Sequence, residues 1–262
     1  IVGLLVSLVL FDGGLNLRFP GGAIKSIVLR ISSIRLIISL AAGFLAAHWF
    51  AGLGWSVAGV YSAIVLATGP TVVTPLVRQI RLASPLSDVL EAEGLILEPI
   101  GAVLALLLLE LVVGDLHGWR ELFLGLLSRL GGGVLIGSLA GLVLSEGLKR
   151  LRSEPFIGIR LQLTLGVIFL LYGVCEWLLP ESGLPASVAA GFVVGQRPST
   201  QANELDKLIR ELAQLAITML FPLLAADVSW GELSPLGWGG ITCVLFLMII
   251  VRPIAVSIAT YG

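Results

Sequence analysis

Residues 89–113 read VLEAEGLILEPIGAVLALLLLELVV, a run of membrane-spanning length that is apolar apart from its acidic residues. At a rise of about 1.5 Å per residue, Glu98 lies about 15 Å into a helix that would cross about 30 Å of hydrocarbon. A carboxylate near the middle of a spanning helix costs about 2.5–3.5 kcal/mol on insertion scales, so such a residue is usually retained to bind an ion, a proton or a partner charge. We therefore place the centre of the functional site at Glu98.

The composition indicates a polytopic membrane protein. The chain has 262 residues, of which 57% are hydrophobic and 13% are charged, whereas a soluble domain is about 45–50% apolar. Its 16 Lys and Arg residues are balanced by 17 Asp and Glu residues. The apolar composition predicts a lipid bilayer around the chain. Because the basic residues are balanced by acids and spread over many loops, we expect no nucleic acid as a partner.

Apolar windows of spanning length recur along the chain and predict nine transmembrane helices in one domain, residues 1–262. The windows are 1–17, 27–50, 55–77, 88–113, 126–146, 158–178, 183–196, 207–228 and 236–258. The seventh is too short to assign by hydropathy alone, but including it places the basic residues in every second loop, as the positive-inside rule requires. Both ends fall in or just after apolar runs, so we expect further helices before and after this chain.

The third span contains ATGPTVVTP at 67–75, which should interrupt the helix near the middle of the membrane. Pro70 and Pro75 each lack an N–H and disfavour helical geometry in the preceding residue, which leaves carbonyl oxygens without helical donors. With the hydroxyls of Thr68 and Thr71, these oxygens could coordinate a dehydrated cation, as unwound transporter helices do. The alternative is a proline kink whose carbonyls are satisfied by neighbouring helices.

Two further acids accompany Glu98. Glu93 lies in the same span but points about 140° away around the helix. Because an unpaired buried charge is costly, we assign Arg252, deep in the ninth span, as its partner in a structural ion pair. Asp12, near the cytoplasmic end of the first span, is either a helix-end charge before a glycine turn or a second acid that lines the same cavity as Glu98.

These residues resemble the monovalent cation/proton antiporter family of the sodium/proton exchanger type. The resemblance rests on FDGGL at 11–15, ATGP at 67–70, EGLILEPIGA at 93–102 and the deep Arg252. It implies that Glu98 binds an alkali cation and a proton in turn. It further implies an ion site that includes Asp12, Thr68, Gly69, Thr71 and Gly94, an ion pair of Glu93 with Arg252, and helix breaks at Pro70, Pro75 and Pro99. The chain departs from the family pattern at Gly69, where Asp is usual, and at Leu97, where Asn is common.

The resemblance also implies a fold and an activity. The fold would be an all-α, inverted-repeat antiporter fold, present here in part, and the protein would form a homodimer in a prokaryotic plasma (inner) membrane. The activity would be Na⁺/H⁺ exchange by alternating access, without a cofactor, and it would contribute to pH homeostasis. A K⁺/H⁺ antiporter or potassium-efflux system and a non-transporting sensor of the same fold remain alternatives. An intramembrane enzyme is disfavoured, because His48 and His117 are not at metal-ligand spacing.

Overall fold

The computed structural model describes residues 2–17, 22–66, 80, 86–116, 118–151, 157–196, 202–229, 231 and 237–260. The regular structure in these ranges is helical. The helices are α1 Val2–Asn16, α2 Gly22–Trp49, α3 Trp55–Leu66, α4 Leu86–Val113, α5 Trp119–Arg150, α6 Ile157–Leu178, α7 Gly183–Gly195, α8 Ala202–Asp227, α9 Gly237–Phe246 and α10 Arg252–Thr260. A π-helical turn, Leu247–Val251, joins α9 to α10.

The helices coincide in position with the predicted spans when α9, the π turn and α10 are counted as one continuous helix. Within the described ranges, five stretches are long and apolar enough to cross a membrane: Val28–Trp49, Leu86–Val113, Trp119–Arg150, Gly158–Leu178 and Gly237–Ile258. Three shorter helices, α1, α3 and α7, are also apolar. The chain is therefore an all-α, multi-pass integral membrane protein.

Two of the predicted spans differ from this simple picture. Helix α8 coincides with the eighth window but is not among the five stretches above, and its first half carries Glu204, Asp206, Lys207, Arg210 and Glu211. Helix α3 begins the third window and is described as far as Leu66. The predicted interruption at 67–75 lies outside the described residues and stays a prediction, as does the inverted repeat.

The chain forms two compact units, which are described separately. The first comprises Ile1–Arg18, Pro70–Glu91 and Leu127–Leu223, and the second comprises Phe19–Gly69, Ala92–Leu126 and Leu224–Gly262. In the first unit, helices α1, α5, α6, α7 and α8 share a hydrophobic core in which Phe11, Leu144, Ile168 and Ile209 are at most 1% exposed.

Backbone-to-backbone contacts hold the short helix α7 in the first unit. Gly14 of α1 and Gly191 of α7 each lie against the backbone of the other helix, and Gly137 of α5 lies against the backbone of Ala186. A Cβ atom at any of these three glycines would overlap with backbone atoms, so a close approach of this kind requires glycine. Burial along most of its length explains why a segment of 13 residues is a helix here.

The turn before α7 is held by a carboxylate. Glu176, near the end of α6, accepts hydrogen bonds from the N–H groups of Glu181, at 3.0 Å, and Gly183, at 3.2 Å. The N–H groups of the first turn of a helix have no partners within the helix, and a negative charge at this end is favourable. The seventh predicted span is therefore a helix with its own N-terminal support.

In the second unit, α2 packs against α3, α9, the π turn and α10. At the π turn, the N–H of Arg252 donates to the carbonyl oxygen of Leu247, five residues earlier. The turn holds one residue more than an α-helical turn, which changes the direction of the following side chains by about 100°. Pro253 comes next and has no N–H to donate.

Candidate functional site

Glu98 lies in the middle of α4 and is followed by Pro99. The side chain of Glu98 is half-buried, and its Oε2 atom is buried with no hydrogen-bond partner in the described part of the chain. Buried polar atoms in proteins almost always have a partner, and an isolated buried carboxylate is costly. Oε2 of Glu98 is therefore suited to bind a proton or a cation that comes from outside the protein.

The prediction of a helix break at Pro99 is wrong. Helix α4 continues through this residue from Leu86 to Val113. Pro99 still has no N–H to donate to the carbonyl oxygen of Leu95, one turn earlier. A long helix tolerates the loss of one hydrogen bond when neighbouring groups compensate, so proline alters the local bonding without ending the helix.

A buried ion pair lies on the same helix. Glu93 is 2% exposed, and its Oε1 atom is 2.7 Å from Nη1 of Arg35 in α2. Both side chains are less than a tenth exposed. Although the two atoms are close, Oε1 accepts no hydrogen bond from the described residues. The contact therefore lacks the alignment of a hydrogen bond. We therefore describe the contact as an ion pair in which two buried charges compensate one another.

The partner of Glu93 differs from the predicted one. Arg252, at the start of α10, is exposed and interacts electrostatically with both Arg35 and Glu93. Within the described ranges, however, the ion pair of Glu93 is with Arg35, and none joins it to Arg252. Arg35 was not predicted from the sequence, although its depth in the second apolar window, 27–50, was a usable signal. The direction of Arg252 depends on a π turn, which the sequence did not reveal.

Asp12 belongs to the first unit and is part of a polar chain. Its side chain is 5% exposed, which excludes a solvated helix-end charge. The Nδ2 group of Asn16 donates to Asp12 Oδ1 at 2.8 Å and to the backbone oxygen of Asp12 at 2.7 Å. Arg210 of α8 donates to Oδ1 of Asn16. An amide thus connects a buried acid on α1 to a basic residue on α8.

The remaining predicted site residues fall into two groups. Gly94 is buried within α4, and Leu97, at the position where the family often has Asn, is 0% exposed and adds an apolar side chain to the core. The other group lies outside the described residues and keeps its predicted role: Thr68, Gly69, Pro70, Thr71 and Pro75.

These features define a polytopic membrane protein with acidic side chains in the middle of an apolar helix, a feature that is common in ion transporters. The sequence matches the family described as sodium/hydrogen exchanger, transmembrane, over residues 1–262, and the chain belongs to this family. That family is one of ion exchangers and not of enzymes.

Three similar proteins agree with this family assignment. The chain is similar to "Probable Na(+)/H(+) antiporter 2" of Methanocaldococcus jannaschii, at 25% identity over 76% of this chain and 49% of that protein. It is also similar to "Na(+)/H(+) antiporter NhaH" of Halobacillus aidingensis, at 25% identity over 99% of this chain and 66% of that protein. The NhaH protein of Halobacillus dabanensis is 24% identical over the same shares. The chain thus spans between about half and two thirds of the length of these relatives.

Proposed function

We propose that this protein is a secondary antiporter that exchanges a monovalent cation for protons at Glu98. The observation that chiefly supports the proposal is the buried Glu98 Oε2 atom, which has no hydrogen-bond partner among the described residues. Na⁺ is the proposed cation, since the relatives are named Na⁺/H⁺ antiporters. The proposal requires no cofactor.

The proposed mechanism follows from the electrostatics of a carboxylate at low dielectric. The charged form of Glu98 is unfavourable without a partner, so the side chain binds a proton or a cation. Both ligands need the same carboxylate oxygens and therefore exclude one another, which couples the two fluxes when the site opens to each side of the membrane in turn. The carbonyl oxygen of Leu95, which lacks a donor from Pro99, is a proposed additional ligand for the cation.

Exchange in vesicles that contain the complete purified protein tests this function. Glu98→Gln is expected to reduce cation-driven proton movement to the level of protein-free vesicles, because an amide neither takes up the proton nor carries the negative charge. Glu98→Asp is expected to retain part of the activity, since the carboxylate remains but is one methylene shorter. Glu110→Gln is the matched control: it removes another acid from α4 and should exchange at close to the wild-type rate.

A Glu98→Gln variant that exchanges normally would contradict the assignment of the site. Comparing Li⁺, Na⁺ and K⁺ gradients identifies the cation, and a preference for K⁺ would replace the proposed Na⁺. Cation binding to the purified protein without proton movement would contradict antiport and would support the sensor alternative.

The location and the assembly are proposed on the basis of family membership. The relatives come from prokaryotes, so we propose the plasma membrane of a prokaryote. We also propose a homodimer, which cross-linking in native membranes followed by mass measurement would detect.

A further inference from the structure

One buried acid in the second unit has two arginines within electrostatic reach. Glu93 forms its ion pair with Arg35, and Arg252 interacts with both members of that pair. The carboxylate of Glu93 balances the charge of one guanidinium group. The charge of Arg252 is therefore repelled by that of Arg35, unless Arg252 takes the place of Arg35 beside Glu93. Glu93 therefore has one ion-pair partner, Arg35, and a second arginine, Arg252, that interacts with it electrostatically.

The chain around Arg252 gives that residue two possible directions. Arg252 follows directly after the π turn Leu247–Val251 and precedes Pro253. The π turn and α10 both pack against α2, the helix that carries Arg35. Moving the extra residue out of this turn would change the direction of Arg252 by about 100° without unfolding α9 or α10. Single π turns inside helices are often found at functional sites.

We propose that Arg35 is a positioning residue for cation/proton exchange, which holds Glu93 in the state shown by the structure, and that Arg252 is the alternative partner of Glu93. The proposal rests on the exchange function proposed above. Glu93 lies about 7.5 Å along the helix from Glu98. Its pairing with Arg35 prevents it from acting as a second carboxylate for the cation, so that one acid, Glu98, carries the exchange.

Thermal unfolding of the complete, detergent-purified protein without added cation tests the pair itself. Arg35→Gln and Glu93→Gln are each expected to lower the melting temperature, because each leaves one buried charge without its partner. The double variant should melt above both single variants. Combining Arg252→Gln with Glu93→Gln should depart less from additivity than the Arg35 pair does, because Arg252 interacts with Glu93 without forming an ion pair with it in this structure. Additive shifts for Arg35 together with non-additive shifts for Arg252 would overturn the proposal.

Two further variants keep this test decisive if Arg35→Gln fails to fold. Arg35→Lys retains the positive charge and should melt close to the wild type. Exchanging the two charges, with Arg35→Glu and Glu93→Arg in one protein, should restore part of the stability that either substitution alone removes. A charge-exchanged protein that is less stable than both single variants would also overturn the proposal.

The pH profile of exchange distinguishes positioning from a merely structural role. Arg35→Gln removes a positive charge near the proposed exchange site, where protons compete with the cation, so it should shift the profile to higher pH, whereas Arg35→Lys should not shift it. Leu107→Ala, a truncation of a buried α4 residue, is the stability control and should keep the wild-type profile. An Arg35→Gln profile that coincides with that of Leu107→Ala would refute the positioning role of Arg35.

Failure of the proposed function can be distinguished from failure of this inference. Absence of exchange in the wild type would refute the proposed function, whereas the melting experiments would still test the ion pair of Arg35 and Glu93.

Discussion

At the scale of single residues, Glu181 in the turn between α6 and α7 is held in an unfavourable setting. Its φ angle is 64°, in the left-handed region that residues other than glycine seldom adopt. Burial and the charge of Glu176 raise the pKa of the Glu181 carboxyl, and the charge of Arg129 partly offsets them. The stability that this group contributes is therefore fully present below its ordinary pKa of 4.5 and is lost as the pH rises through the raised value.

Replacing Glu181 by Gln should remove this pH dependence. Because the amide carries no charge, Glu181→Gln is expected to melt at or above the wild-type temperature at neutral pH, and its advantage should shrink as the pH falls towards 4.5. Melting curves of the detergent-purified protein across this range measure the effect. The control is Glu211→Gln at an exposed position. A Glu181→Gln curve that runs parallel to the wild type would refute the prediction.

The sequence predicted the acids of the candidate site better than their partners. Glu98 and Glu93 are recognisable because a carboxylate deep in an apolar run is unusual whatever surrounds it. Their surroundings depend on which helices are neighbours, and hydropathy does not contain that information. The pair of Asn16 and Arg210 illustrates the limit, because these residues are 194 positions apart in the chain. Arg35 was not predicted, because the sequence pointed to Arg252 as the deep base that pairs with Glu93.

At the scale of helices, the contact between α5 and α7 can be tested by two glycine substitutions of opposite effect. Gly137 faces the backbone of Ala186, whereas a Cβ atom at Gly131 would meet nothing within 4 Å. Gly131→Ala should stabilise α5 by up to about 1 kcal/mol through helix propensity. Gly137→Ala should destabilise the protein, because the helix backbones would have to separate. The free energy of unfolding of the two variants measures the difference, and equal effects would contradict the described packing.

Helix positions followed from the sequence, but their packing did not. Hydropathy located the long spans, and loop charge correctly identified the short α7. The reason that α7 is stable was present as a pattern, since Gly133, Gly137 and Gly141 recur every four residues and small residues with this spacing favour close helix packing. The pattern did not say which helix is the partner. The π turn has no comparable signature, because its extra residue depends on the packing around it.

At the scale of the whole molecule, the distribution of basic residues predicts the orientation in the membrane. Helix α5 has 32 residues and is about 48 Å long, so its ends should reach opposite sides of the bilayer. The positive-inside rule places the end with Lys149 and Arg150 in the cytoplasm and the end with Arg120 outside.

Labelling with a membrane-impermeant maleimide tests this orientation. The background for the experiment replaces Cys175 and Cys243, which are both buried, by Ala. Arg120→Cys should react from outside in intact cells or right-side-out vesicles, and Lys149→Cys should react only after permeabilisation. Reaction of both positions from the same side would contradict the predicted orientation.

The glycine contacts between α1 and α7 limit how the protein can change shape. Where two main chains touch with no side chain between them, no rotamer can change to let one helix slide or tilt against the other. Helices α1 and α7 must therefore be displaced together, as one rigid body, and Asp12 has to travel with them. Any hinge of the proposed transport cycle is to be sought where side chains separate the helices, and the π turn before Arg252 is the candidate we propose.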